Sequence, residues 1–198
     1  VLVGDFLFSR AFQIMVEDGS LRVLEILSAA SAVIAEGEVQ QLANSNDLRT
    51  TEQDCLAVIT AKTAKLFAAA CEVGAVVSNQ PAKTAQSLAT FGLNFGISFQ
   101  LVDDTIDYAA SDSAIGKQIG DDFREGKVTL PVLLAYVRGT QQDRSFWKRT
   151  IERQELREGD LACAISLMEK YEVLNDVRSR AREYASAACK GLDDFPDT

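Results

Sequence analysis

Histidine is absent from all 198 residues. Without it there is no Ser-His-Asp or Cys-His nucleophile system and no His-ligated metal site. The remaining chemistry has to come from carboxylates, lysine, arginine, hydroxyls and amides. Cysteine is scarce: Cys55, Cys71, Cys163 and Cys189 form no CxxC pair. Each lies in an apolar, helix-like stretch, so all four read as small core hydrophobes in a reducing compartment, not as a disulfide framework or a zinc site. Positive charge is also short. Twenty Lys and Arg against twenty-nine Asp and Glu leave a formal charge of −9, which argues against a nucleic-acid binder with its basic face. The strongest apolar stretch, 66–77, is broken by Glu72 and is too short to be a transmembrane segment. No signal peptide is visible in the first residues, and the expected location is cytoplasmic. Val1 is not a natural initiator, and the opening residues already read as a helix interior. The chain is therefore expected to be a piece of a longer protein.

Proline occurs only at Pro81, Pro131 and Pro196. The segments between are rich in Ala, Leu, Glu, Lys, Gln and Arg, all good helix formers, and alternating strand patterns are nearly missing. The pattern predicts helices at 2–17, 20–43, 52–78, 82–109, 129–138, 143–153, 159–171 and 174–191. No repeat, low-complexity segment or linker divides 1–198, so a single domain is expected. Two of these helices, 20–43 and 82–109, are apolar nearly all round. A helix without a polar face is one surrounded by other helices. The expected fold is thus all-α, a large antiparallel bundle with buried central helices.

Near the end of the second of these helices the sequence reads Gln100-Leu101-Val102-Asp103-Asp104-Thr105-Ile106-Asp107. Asp103 and Asp107 share one helix face at a spacing of about 5–6 Å, with Asp104 beside them. Like charges there repel, and a helix C-terminus is the wrong end for anions. One reading is a solvated acidic helix end. The other is a carboxylate cluster for a hard divalent cation, favoured by the apolar neighbours Phe99, Leu101, Val102 and Ile106. Mg²⁺ accepts one or two carboxylates and completes its shell with water and substrate phosphates. An EF-hand does not fit, because its spacing, glycine and final glutamate are missing.

Past the cluster, Gly116-Lys117 and Gly126-Lys127 lie ten residues apart in a glycine-rich stretch. Loop lysines are usually solvated. Behind an aspartate cluster they are also the other half of a polyphosphate site, neutralising charge that a metal leaves over. The stretch is not a P-loop, since the full signature is missing and no strand precedes it. Lys62-Thr63 interrupts an apolar helical run. Lys62 either snorkels to the surface or points inward to the same phosphate.

These motifs together resemble the trans-isoprenyl diphosphate synthases. The resemblance rests on Asp103-Asp104-Thr105-Ile106-Asp107, Gly116-Lys117, Gly126-Lys127-Val128-Thr129-Leu130-Pro131, Lys62-Thr63 and Phe99-Gln100. The opening Gly4 to Phe12 and the segment Ala35 to Leu42 are also similar, most of all to the long-chain branch typified by octaprenyl products for quinone side chains. The resemblance implies the isoprenoid-synthase bundle around a cavity, and Mg²⁺-dependent condensation of isopentenyl diphosphate with an allylic prenyl diphosphate. It implies that Asp103, Asp104 and Asp107 hold Mg²⁺, with Mn²⁺ able to stand in. Lys62, Lys117 and Lys127 would contact diphosphate. Thr63 and Gln100 would line the reaction centre, with Glu38, Gln41 and Phe99 facing the same cavity. A homodimer through apolar helices of 1–43 also follows from the resemblance.

One departure matters. The family has two aspartate-rich motifs, and the first, with its neighbouring basic residues, is not in this sequence. The 198 residues alone are therefore expected not to catalyse elongation. A non-catalytic partner subunit and a terpene cyclase on the same fold are the competing readings. The retained acidic motif and lysines weigh against the former, and the Gly-Lys stretch and Lys-Thr pair against the latter.

Overall fold

Ser20 starts the second helix by accepting a hydrogen bond from the Val23 N–H at 3.3 Å, the usual service of a serine at that position. The computed structural model describes residues 1–109, 119–193 and 195. Helix α1 is Leu2–Asp18 and α2 is Leu21–Asn44. Thr51 and Asp54 form a reciprocal capping box that opens α3, Glu52–Ile59. This helix runs without a break into a single π turn, Thr60–Ala64, and then into α4, Lys65–Val77. Pro81 precedes α5, Ala82–Ile106. A short α6, Asp121–Arg124, leads to α7, Leu130–Arg138, with Pro131 in its first turn, where proline costs nothing. A second capping box, Thr140 with Asp143, opens α8, Gln141–Trp147, which continues into a π turn at Lys148–Glu152. Helices α9, Asp160–Lys170, and α10, Val173–Lys190, complete the described residues.

The fold is all-α, and every regular element among the described residues is helical. Helix α5 lies between α4 and α10. Ser98 on α5 donates to the Ala181 carbonyl of α10 at 2.8 Å. The main core gathers at the lower end of α5: Leu101, Tyr108, Phe123, Leu130, Trp147, Ile151, Met168 and Val177 are all essentially inaccessible. Gly96 sets the distance between α5 and its neighbour. A Cβ there would lie 2.6 Å from the Ala64 Cα, so only glycine lets α5 come this close to the π turn. No described helix is long and apolar enough to cross a membrane.

The predicted helices at 52–78 and 143–153 each contain a π turn that apolar periodicity does not signal. The four-residue α6 is too short to leave a pattern. Three other expectations need correction. Helix α5 is not enclosed all round among the described residues. Its buried side carries Gly92, Gly96, Ile97, Leu101, Asp104 and Thr105, while Phe95, Phe99, Val102 and Ile106 are 37–52% exposed. Its neighbours α4 and α10 cover only part of its circumference. Helix α2 likewise buries Val23, Ile26, Ala30 and Gly37 and exposes Leu21, Val39 and Leu42. Of the four cysteines, only Cys55 is buried, and Cys163 and Cys189 are exposed. Each of these two sits one residue from a buried alanine, Ala164 or Ala188, a rotation of about 100° off the packed face.

Candidate active site

The π turn at Thr60–Ala64 brings Lys62 and Thr63 to a cavity of about 420 Å³. Such turns insert one extra residue and recur at functional sites. The wall is built from the C-terminal end of α2, α3 with its π turn, the lower end of α5, and the segment 121–130. Lys62 Nζ donates to Gln41 Oε1 at 2.6 Å and pairs with Glu38 Oε1 at 3.1 Å. Thr63 Oγ1 donates to Gln100 Oε1 at 2.9 Å. The amide of Gln100 in turn donates to Asp103 Oδ2 at 3.2 Å and to Asp104 Oδ1 at 2.9 Å. One hydroxyl and one amide therefore fix two adjacent carboxylates.

Asp104 and Asp107 are 4% and 1% exposed. A buried carboxylate is costly unless hydrogen-bonded; Gln100 bonds Asp104, and the segment after α5 holds Asp107 by one bond to its carboxylate and one to its backbone carbonyl. The Asp122 backbone N–H donates to Asp107 Oδ2 at 3.1 Å, and the Gly120 N–H donates to the Asp107 carbonyl at 2.9 Å. The Asp122 carboxylate also accepts from Lys127 Nζ at 2.9 Å, while Glu125 Oε2 stands 2.7 Å from the same ammonium. Burial pulls the Lys127 pKa down, but its hydrogen bonds to Glu125 and Asp122 outweigh this and hold it above the ordinary lysine value. Gly126 shapes the approach to Lys127. Its φ is +67°, and a Cβ would lie 2.0 Å from Asn46 Oδ1.

Two further groups matter here, Cys55 in the lining and Tyr108 outside it. Burial, with Asp104 nearby, pushes the Cys55 thiol up to about 12. Its Sγ–H donates to the Val128 carbonyl at 3.4 Å. Tyr108 is fully buried, and burial first, then Asp122 and Asp107, raise its phenol well above the usual value. Both stay protonated at neutral pH, and neither is a base or a nucleophile there.

The structure therefore places Lys62, Thr63, Gln100, Asp103, Asp104, Lys127 and Gln41 on one cavity wall. Asp107 lies just behind it, buried. Glu38 is at the rim, half-exposed, touching Lys62 but outside the lining. Phe99 is also outside the lining; it is 52% exposed and packs on Phe67 with ring centroids 5.5 Å apart. Lys117, with Gly116, lies outside the described residues. Two participants were not singled out from sequence, Asp122 and Glu125. The acidic residues ahead of Gly126-Lys127 were the available signal, masked by the general excess of carboxylates.

Over residues 1–168 the chain matches the polyprenyl synthetase family. The chain belongs to that family. Among its relatives is octaprenyl diphosphate synthase of Haemophilus influenzae, 40% identical over the whole chain and 60% of that protein. The octaprenyl diphosphate synthase of Escherichia coli is 42% identical over the whole chain and 61% of that protein. The chain thus spans about three-fifths of the length of these polyprenyl synthetases. A solved polyprenyl synthase from Caulobacter crescentus, complexed with calcium and isoprenyl diphosphate, superposes with a TM-score of 0.97 at 48% identity, covering all of this chain and 60% of that one. A decaprenyl diphosphate synthase from Rhodobacter capsulatus gives 0.92 at 48% identity, covering all of this chain and 61% of that one.

Proposed function

We propose that this chain carries the diphosphate-binding half of a long-chain trans-prenyltransferase, which joins isopentenyl diphosphate to an allylic prenyl diphosphate. The observation that carries the reading is that Asp103, Asp104, Lys62 and Lys127 all line one cavity. The relatives named octaprenyl diphosphate synthase support a product of that class.

Among the described residues no three acidic, Cys or His side chains are arranged to hold a metal by themselves. The donor set nevertheless fits Mg²⁺. Asp103 and Asp104 offer hard oxygens to the cavity, and a ligand diphosphate and water would complete the shell, the mode this ion prefers. The calcium and isoprenyl diphosphate bound in the Caulobacter crescentus relative support an oxygen-coordinated divalent ion. Mg²⁺, once bound, supplies Lewis-acid stabilisation of a departing diphosphate; Asp107 supports its ligands from behind.

The chain's own residues do the rest. Lys62 and Lys127 neutralise diphosphate oxygens as the allylic C–O bond breaks. Lys117 joins them in this proposal. Thr63 and Gln100 line the reaction centre, Thr63 holding Gln100 and Gln100 holding the two aspartates. The π electrons of isopentenyl diphosphate form the new C–C bond, and the adjacent carbon gives up its proton to an oxygen of the departed diphosphate. The test is incorporation of labelled isopentenyl diphosphate into polyprenyl product by the protein bearing this chain. Asp103→Ala should cut Mg²⁺-dependent turnover by about 100-fold or more while leaving the helical circular dichroism intact. Retained turnover would refute the metal assignment. Hydrocarbon released from allylic diphosphate alone would indicate a cyclase.

The same reading includes a homodimer. Helix α1 exposes Leu2, Phe6, Leu7, Phe8, Ile14 and Val16, apolar side chains that a second copy could cover. Phe6→Glu should convert a dimer to a monomer in sedimentation velocity.

A further inference from the structure

Lys62 and Lys127 each have two kinds of partner, one inside the cavity and one at its rim. Lys62 is held from within by the neutral Gln41 amide and from the rim by Glu38 at 3.1 Å. Lys127 is held by the largely buried Asp122 at 2.9 Å and, at the solvent-exposed edge of the cavity lining, by Glu125 at 2.7 Å. The inner carboxylate is 12% exposed in its side chain, whereas Glu38 and Glu125 are 49% and 61% exposed. The difference decides which bond can open. Releasing Asp122 would leave a charge in a poorly solvated place, which is expensive. Releasing Glu38 or Glu125 only returns a carboxylate to water, and exposed pairs of this kind are weak. The Lys127 hydrogen bond holds the Glu125 carboxyl below its ordinary pKa, so it is a charged competitor at neutral pH.

We propose that Glu38 and Glu125 are built-in competitors of the diphosphate. They occupy Lys62 and Lys127 in the free protein, yield when a diphosphate arrives, and take the lysines back as inorganic pyrophosphate leaves. The buried Asp122 stays in place throughout and keeps Lys127 aimed at the cavity. The inference rests on the diphosphate-site reading above and adds that the site's affinity is held down by its own rim.

The experiment is calorimetric titration of the protein with inorganic pyrophosphate in the presence of Mg²⁺. Glu125→Gln and Glu38→Gln are each expected to bind pyrophosphate about three- to five-fold more tightly than the parent protein. A merely structural role would weaken binding instead. Asp122→Asn should weaken it, because Lys127 loses its fixed partner. Asp121→Asn removes a carboxylate that also lines the cavity but pairs with Arg124 at 2.7 Å; it should change affinity least. Equal or weaker binding by both Glu→Gln variants, with clear binding by the parent, would overturn the exchange and leave the site reading standing. Tightening by Asp121→Asn as large as that by Glu125→Gln would overturn it as well, by tracing the gain to net charge alone. No pyrophosphate binding by the parent protein would remove both ideas.

Discussion

Thr63 and Gln100, 37 residues apart in sequence, meet at 2.9 Å where the π turn faces α5. Their bond is the first in a short chain that ends on Asp103 and Asp104. Gln100→Leu removes both amide donors while keeping the volume, so the two carboxylates lose their positioning without a cavity forming. Turnover is expected to fall about ten-fold or more, since one hydrogen bond to a charged group is worth about 1.5–3 kcal/mol. Thr63→Val should fall less, because Gln100 keeps its bonds to the aspartates. Steady-state kinetics on the two variants, with thermal melting as the control, distinguishes this from unfolding. Equal losses in both would argue against the order of the chain.

The contact at Gly96 gives a stability prediction. Gly96→Val would place carbon atoms inside the van der Waals radius of the Ala64 backbone. Overpacking of this kind costs about 1–3 kcal/mol, read as a lower urea midpoint. Because Ala64 belongs to the π turn, the surviving folded fraction should also bind diphosphate more weakly. A stable Gly96→Val protein with unaltered binding would show that α4 and α5 separate freely.

Lys127→Met leaves Asp122 without its cation. Asp122 is largely buried but Lys127 is one-third exposed, so the penalty is smaller than for a fully enclosed pair. A loss of about 1–2 kcal/mol is expected, and Lys127→Met with Asp122→Asn together should lose less than the sum of the two. A double-mutant cycle in urea measures the coupling; strict additivity would mean that the pair is structurally inert.

Acid sensitivity is expected at Asp143. Its carboxylate accepts from Tyr171 Oη at 2.5 Å, from Thr140, and from Lys170 at 3.1 Å. The Tyr171 bond first, then the Thr140 bond, holds its pKa far below the ordinary 3.8. A group depressed on folding stabilises the protein fully above its unfolded pKa, and that stability drains away as pH falls below it. The parent protein should therefore lose stability between about pH 5 and pH 2, and Asp143→Asn should flatten that part of the profile. Parallel curves in chemical denaturation would disprove the assignment.

Thiol chemistry separates the cysteines. Cys163 and Cys189 are exposed, while Cys55 is buried with its thiol pushed up to about 12. An aromatic disulfide reagent at neutral pH should modify the first two rapidly and Cys55 only on unfolding, because the thiolate is the reactive species. Mass mapping of the labelled peptides reports this directly.

Much of the architecture was readable from residue pattern. The helices follow from scarce proline, strong formers and clear caps such as Thr51 with Asp54. The Asp103–Asp107 cluster was visible because charge in an apolar helix is conspicuous, and Lys62 for the same reason. That Lys62 and Asp103 line one cavity is not legible in the sequence, since it depends on how α3, α5 and the loop at 121–130 pack together. The π turns escaped because periodicity averages over a window longer than the single extra residue they insert. Apolar pattern alone points Phe99 and Ile106 inward, because it does not tell which neighbours are present to cover them. Cys163 and Cys189 misled for a related reason: a small residue beside a buried alanine fits either side of a helix boundary. Asp122 is hidden among twenty-nine acidic residues, and part of its role is a backbone N–H donated to Asp107, which no side-chain pattern reveals.

The turn at Thr60–Ala64 splits one rod into two phases. Ahead of it, Cys55, Val58 and Ile59 line the cavity; after it, Ala68, Ala69 and Ala75 are buried, with Ala69 packed on Ile26 and Ala30 of α2. A regular helix would tie these two stripes to a single angular offset, so improving one would spoil the other. The inserted residue decouples them, leaving the cavity-lining end and the packed end of the same rod free to drift separately under substitution.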